Sequence, residues 1–157
     1  AKIIESTEEN GIDRIPALGT RPHTHAGAVS LAAVEIAELL GCKAVCVFTE
    51  SGDSFRRVSR LRTSVPLLAF TPSETVRNRL ALSWGARSFL VSPVTHTDEM
   101  MHQVDELLLS NGLAKVGEEV VVVAGTPPGI PGSTNSLRVH RVGDAVNGVV
   151  AGYATKK

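Results

Sequence analysis

Ala44-Val45-Cys46-Val47-Phe48-Thr49-Glu50-Ser51-Gly52-Asp53-Ser54 is the stretch that decides the fold: an apolar strand runs straight into a small-residue turn, which opens a helix carrying Arg56, Arg57, Arg60 and Arg62. A strand apolar at consecutive positions is one covered on both faces, so a parallel sheet between helix layers is expected. The turn has chemistry of its own. Backbone N–H groups left unpaired at a helix start point outward and carry partial positive charge, which suits a phosphate. Thr49, Ser51 and Ser54 add hydroxyls, and Gly52 allows close backbone approach. Glu50 and Asp53 oppose an anion by like charge, and the plainer reading is that Asp53 and Ser54 cap the helix. A second turn, Gly125 to Asn135, lies between the apolar runs Val120–Ala124 and Ser136–Val142 and offers Gly132, Ser133 and Thr134. In open α/β sheets ligands bind beyond the carboxyl ends of the strands, so the two turns share one pocket if their strands are neighbours.

Outward from this stretch the chain alternates regularly. Thr24 caps a helix over Ala26–Leu40, whose Val29, Ala33, Ile36, Ala37 and Leu40 fall at helical spacing, and Gly41 stops it. Strand Lys43–Phe48, helix Ser54–Arg62, strand Pro66–Phe70, helix Ser73–Trp84, strand Ser88–Val91, helix Thr97–Ser110 and strand Glu119–Ala124 follow. Short apolar strands between helices predict an α/β fold with a parallel sheet and right-handed crossovers. Leu137-Arg138-Val139-His140-Arg141-Val142 alternates apolar with polar residues, as an edge strand with one wet face does, and its hairpin-like approach makes it antiparallel to its neighbour. Residues 1–9 form a helix that nothing nearby partners, 10–23 read as a linker, and 143–157 are small, weakly patterned and expected to be a flexible tail.

Composition removes several classes of function. In 157 residues, sixteen basic and sixteen acidic side chains cancel, so no net field draws the protein to nucleic acid or to an anionic membrane. No apolar run reaches the roughly 18 residues of a membrane span, and the first residues lack the apolar centre of a signal peptide, so the cytoplasm is the expected compartment. Cys42 and Cys46 have no metal-site spacing, and Cys46 sits inside the apolar strand as a reduced, structural thiol. His23, His25, His96, His102 and His140 are scattered, with solvated surface the expectation for most of them. Neither Gly-x-x-x-x-Gly-Lys-Ser/Thr nor Gly-x-Gly-x-x-Gly after the first strand is present, which removes support for ATP hydrolysis and dinucleotide chemistry. The arginines of the helix after Ser54 read as a solvated face opposite Phe55, Val58 and Leu61 rather than an RNA site. No Ser/His/Asp or Cys/His arrangement stands out.

The ordered set Val47-Phe48-Thr49-Glu50-Ser51-Gly52, Pro66-Leu67-Leu68-Ala69-Phe70-Thr71, Leu82-Ser83-Trp84-Gly85 and Gly132-Ser133-Thr134-Asn135 with Arg138-Val139 resembles the C-terminal domain of pyruvate kinases over residues 24–142. Gly125-Thr126-Pro127-Pro128-Gly129 and Val139-His140-Arg141 are most similar to actinobacterial members, and residues 1–9 resemble the last helix of that family's catalytic barrel. The resemblance implies a three-layer αβα domain with a five-stranded mixed sheet in order 3-2-1-4-5, the last strand antiparallel. It also implies a homo-oligomer, specifically a homotetramer, an allosteric role, and a catalytic domain elsewhere that uses magnesium and potassium. This chain itself would then hold no cofactor and no metal and would not catalyse. The family's effector phosphate is held by the turn matching Thr49, Glu50, Ser51, Gly52, Asp53 and Ser54, helped by the loop that holds Gly132, Ser133 and Thr134. Members that bind fructose 1,6-bisphosphate commonly carry Lys or Arg where this chain has Glu50 and Asp53, and Pro93–Gln103 lacks the tryptophan and arginine that grip a second phosphate. A sugar monophosphate or a nucleotide is therefore the expected effector. A purely structural oligomerisation domain is the alternative.

Overall fold

The computed structural model describes residues 2, 6, 22–130 and 132–148; apart from Lys2 and Ser6, the expected helix at 1–9, the linker up to Arg21 and residues 149–157 of the expected tail lie outside the described residues. In chain order the elements are α1 (His25–Leu40), β1 (Val45–Phe48), α2 (Asp53–Ser59), β2 (Leu67–Thr71), α3 (Glu74–Leu80), β3 (Ala86–Leu90), α4 (Thr97–Ser110), β4 (Glu119–Gly125) and β5 (Thr134–Arg141). The sheet has five strands in the order β3-β2-β1-β4-β5. β1 pairs in parallel with β2 and β4, β2 with β3, and β5 runs antiparallel to β4. Fold class, strand order and the direction of the last strand are as the sequence led us to expect.

Alternation along the strands builds two cores. Val45, Val47, Leu67, Ala69, Val121 and Val123 face one way, onto Ala33, Val34 and Ala37 of α1, Phe55 and Val58 of α2, and Val76 and Leu80 of α3. Cys46, Phe48, Leu68, Phe70, Val120 and Val122 face the other way, onto Met100, Met101, Val104 and Leu108 of α4. Period-two side chains on strands that are buried throughout thus feed both layers at once. Burial leaves Cys46 no charged partner and pushes its thiol far above the ordinary cysteine range, so it is an inert core residue.

The helix ends follow local chemistry. Thr24 Oγ1 accepts from Gly27 N at 3.1 Å, and Ser73 Oγ accepts from Val76 N at 3.3 Å. Gly41, at φ 64°, turns the chain left-handed so that Cys42 N reaches Ala37 O at 2.9 Å. Two helices are shorter than expected. α2 ends at Ser59 rather than Arg62, because Arg62 adopts φ 54° and lays its guanidinium 5.0 Å from the Trp84 ring centroid. α3 ends at Leu80 rather than Trp84: Leu82 and Ser83 bond back to Arg79 and Leu80 in tight turns, and Ser59 Oγ donates to Trp84 O at 2.7 Å. β3 consequently starts at Ala86, two residues earlier than Ser88.

His140 corrects the expectation of a solvated histidine and of a simple wet face on β5. Leu137 packs on the α1 side, Val139 is 36% exposed, and His140 is buried on the α4 side. Its Nε2 lies 2.7 Å from Asp105 Oδ1, while Asp105 Oδ2 accepts from Ala145 N at 2.9 Å and Val146 N at 3.2 Å. Burial opposes ionisation of Asp105, but backbone N–H groups of the turn around Gly143 and Val146, together with His140, outweigh it and hold the carboxyl below its ordinary value. A depressed carboxylate contributes stability that is present above its unfolded pKa of about 3.9 and lost as pH falls through the folded value. Asp105→Ala is expected to cost about 3 kcal/mol at pH 7, since it strands His140 and two backbone donors. Urea unfolding at pH 7 and pH 3 checks this: the gap between wild type and variant narrows in acid, and an unchanged gap overturns the assignment.

Candidate ligand-binding cleft

β1 and β4 are hydrogen-bonded neighbours in parallel register, Val45 beside Val121 through Val47 beside Val123, so the segments that leave them emerge side by side at the carboxyl edge of the sheet. The cleft between them is lined by Thr49, Glu50, Ser51 and Ser54 from the first turn and by Gly132, Ser133 and Thr134 from the second. Gly52 and Asp53 belong to the first turn but do not line the cleft. Arg56 and Arg57, the first two arginines of α2, do not line it either.

Hydrogen bonds shape the first turn. Thr49 N continues the ladder to Phe70 O at 2.9 Å, and Thr49 Oγ1 accepts from Gly52 N at 2.9 Å. Gly52, at φ 88°, is the residue that caps α2, not Asp53 or Ser54; a side chain there would meet both a strained backbone and Arg56 Nη1 at 3.1 Å. Asp53 is the first residue of α2 and binds Arg56 at 2.7 Å. The Arg56 bond, followed by one from Ser51, holds the Asp53 carboxyl below its ordinary value. Arg56 also donates to Ser51 O at 3.2 Å, so the pair buttresses the turn beside Gly52.

Ser54 Oγ and Thr134 Oγ1 share a buried hydrogen bond that joins the two turns across 80 positions of sequence. The second loop is held at its base by Asn135, whose Oδ1 accepts from Thr126 N at 2.8 Å and whose Nδ2 donates to Thr126 O at 2.7 Å. That side chain replaces a strand pairing where the β4–β5 register shifts between Ala124 and Gly125. Gly125 is required there, because a Cβ would collide with Ser133 Oγ. Ser133 Oγ in turn donates to Ile130 O at 2.7 Å.

Residues that the sequence reading did not assign complete the cleft. Phe48, Phe70 and Met100 are apolar lining, and the segment Val91, Ser92, Pro93 and Val94 forms a further wall. Two α4 side chains hold that wall: Glu99 accepts from Thr95 N at 2.7 Å and His96 N at 3.3 Å, and Gln103 Nε2 donates to Ser92 O at 2.8 Å. These bonds lower the Glu99 carboxyl below its ordinary value. Phe48 and Phe70 were legible only as core strand residues; their place at the strand ends was the available signal. Asn135 carried no local signal, since its partner lies nine residues back.

The cleft lies at the carboxyl edge of a mostly parallel sheet, walled by hydroxyl-bearing turns and lined with apolar side chains, which is the place where open α/β sheets commonly take their ligands. The chain belongs to the pyruvate kinase alpha/beta domain family: the description "Pyruvate kinase, alpha/beta domain" matches residues 27–140. It is 47% identical over 144 residues to pyruvate kinase of Corynebacterium glutamicum and to that of Mycobacterium tuberculosis, in each case covering 92% of this chain and 30% of the relative. The actinobacterial character read from the loop after β4 agrees with both. A solved structure of a pyruvate kinase from Cryptosporidium parvum superposes with a TM-score of 0.70 over 78% of this chain and 24% of that one; at 22% identity it shows the fold. The chain thus spans about a third of the length of the curated relatives it matches.

Replacing Asn135 by Ala removes both bonds to Thr126 and is expected to cost about 1–2 kcal/mol. Amide exchange should accelerate at Thr126 while the β1 amides of Val45–Phe48 stay protected; unchanged exchange at Thr126 shows that the loop base does not need Asn135.

Proposed function

We propose that this chain is the regulatory and subunit-interface domain of a glycolytic, cytoplasmic pyruvate kinase, and that its cleft binds a phosphorylated effector, a sugar monophosphate or a nucleotide. The observation that carries the reading is the pairing of two hydroxyl-bearing turns, joined through Ser54 and Thr134, in one cleft of a domain that belongs to this family. The partner in catalysis is the barrel domain of the same enzyme, which transfers phosphate from phosphoenolpyruvate to ADP with magnesium and potassium. Among the described residues of this chain no group of three or more His, Cys, Asp or Glu could hold a metal ion. No described helix is long and apolar enough to cross a membrane.

In this reading the effector acts by binding one of two arrangements of a homotetramer better than the other, which shifts their populations by at most that difference in affinity. The two turns suit such a role because they follow different strands and meet through the Ser54–Thr134 bond. The alternative, a structural oligomerisation domain without effector, is supported by the edge of β5, unpaired among the described residues, where Val139 is 36% exposed, and by Leu39 on α1, which is 84% exposed. Calorimetric titration of the chain with AMP, glucose 6-phosphate and fructose 1,6-bisphosphate separates the two.

The isolated chain is expected to make no ATP from phosphoenolpyruvate and ADP, because it brings no metal-held phosphates and no positioned acceptor. Activity that survives repurification and is lost in a Ser54→Ala, Thr134→Val double variant overturns that expectation.

Glu50 supplies the sharpest test of the phosphate reading. It lines the cleft, and its repulsion of a ligand with roughly two negative charges is on the order of 1 kcal/mol at partly exposed distances. Glu50→Lys, which turns one repulsion into an attraction, is expected to tighten glucose 6-phosphate about tenfold at low salt and to leave glucose unchanged. Equal, salt-independent binding of both by the variant means that the turn is only a helix start.

A further inference from the structure

Glu50 is the one ionisable side chain among the described residues that line the cleft. It is exposed, and among the described residues its carboxylate has neither an ion pair nor a hydrogen bond. The other carboxylate of the turn, Asp53, is matched by Arg56 outside the cleft lining. The cleft therefore combines three surfaces of different chemistry: the hydroxyls of Thr49, Ser51 and Ser133, the apolar lining of Phe48, Phe70 and Met100, and a lone negative charge with no partner supplied by the protein. A free carboxylate facing a ligand favours an ammonium over a neutral hydroxyl and disfavours a second phosphate.

We propose that the ligand of this cleft is an amino sugar monophosphate or a close chemical equivalent. It carries one phosphate on the hydroxyl-bearing turns and an ammonium group that pairs with Glu50. The inference rests on the reading of the cleft as an effector site and narrows it. Glu50 of the first turn and Ser133 of the second line the same cleft, so one compact ligand can meet the carboxylate on one side and hydroxyls on the other. The apolar lining beneath them suits the carbon face of a sugar ring. Glu50 is then a specificity-determining residue: it selects for positive charge on the ring, where a Lys or Arg at the same place selects for a second phosphate.

The test compares glucosamine 6-phosphate, N-acetylglucosamine 6-phosphate and glucose 6-phosphate, which share a ring and a phosphate and differ in whether the second carbon bears an ammonium, a neutral amide or a hydroxyl. Calorimetry uses the whole chain at about pH 6.5, below the ordinary titration range of an amine, and at two salt concentrations. The wild type is expected to bind the amino sugar about fivefold more tightly than the other two, the size of a partly exposed ion pair, with the preference shrinking in salt. In Glu50→Gln the three affinities should fall within about twofold of one another, with glucose 6-phosphate tightened. An amino sugar that binds no better than glucose 6-phosphate, or a preference that persists in the Gln variant, overturns this inference and leaves the effector reading standing. If none of the three binds, this inference falls and the effector reading is left to a nucleotide, which the titration with AMP decides.

Discussion

The parallel pairing of β1 with β4 is the constraint on which the rest of this structure depends. It brings Thr49 and Gly125 to the same edge of the sheet although 76 positions separate them in the chain, and it obliges everything between to make crossovers over the two faces. Because β1 sits in the middle of the sheet, Val45 to Phe48 are buried on both sides and can contribute nothing polar. The polar chemistry is displaced to the strand ends, where the backbone runs out of ladder partners and small residues satisfy it. Site and core are in this sense one arrangement: the apolar run that stabilises the sheet also fixes where hydroxyls and glycines have to go.

The cleft is stiff where the protein supplies its own partners and open where it does not. Thr49, Ser54, Thr134 and Asn135 are tied to the framework by internal bonds, while Asp53 is neutralised by Arg56. The wall at Val91–Val94 is held from α4 by Glu99 and Gln103. Beside these groups, each tied to a protein partner, the free carboxylate of Glu50 stands out, since an exposed charge left unmatched by its own protein costs little and leaves its field available to a ligand.

A second polar device lies on the opposite side of the sheet from α1, between α4 and the end of β5. Asp105 takes its donors from His140 and from the turn at 145–146, which secures the described residues after β5 to the helix layer. Small, weakly patterned residues at 143–148 give no local reason to adopt one conformation, so their placement comes from a carboxylate on another element. Buried polar groups of this kind are high-stakes, being stabilising only when their partners are all in place.

The sequence by itself determined the layer architecture, because strand burial and helix amphipathicity are carried by local periodicity, and both are dense in this chain. Strand order was legible through the resemblance of quoted motifs, the direction of β5 already through its alternation and hairpin-like approach, and the cap residues Thr24 and Ser73 through side-chain chemistry within three positions. What only the tertiary structure decided are the interactions between residues far apart in the chain. α2 and α3 end before their local helix signals do, where Arg62 turns left-handed and lies over Trp84 and where Ser59 bonds the Trp84 carbonyl. Asp105 drew His140 into the core against the alternation of β5. The cap of α2 fell to Gly52, whose N–H is held by Thr49 Oγ1, while Asp53 is already helical and turns its carboxylate to Arg56. Local pattern reports the free energy of a segment with its immediate neighbours, whereas these choices are set by partners that only chain folding brings within hydrogen-bond reach.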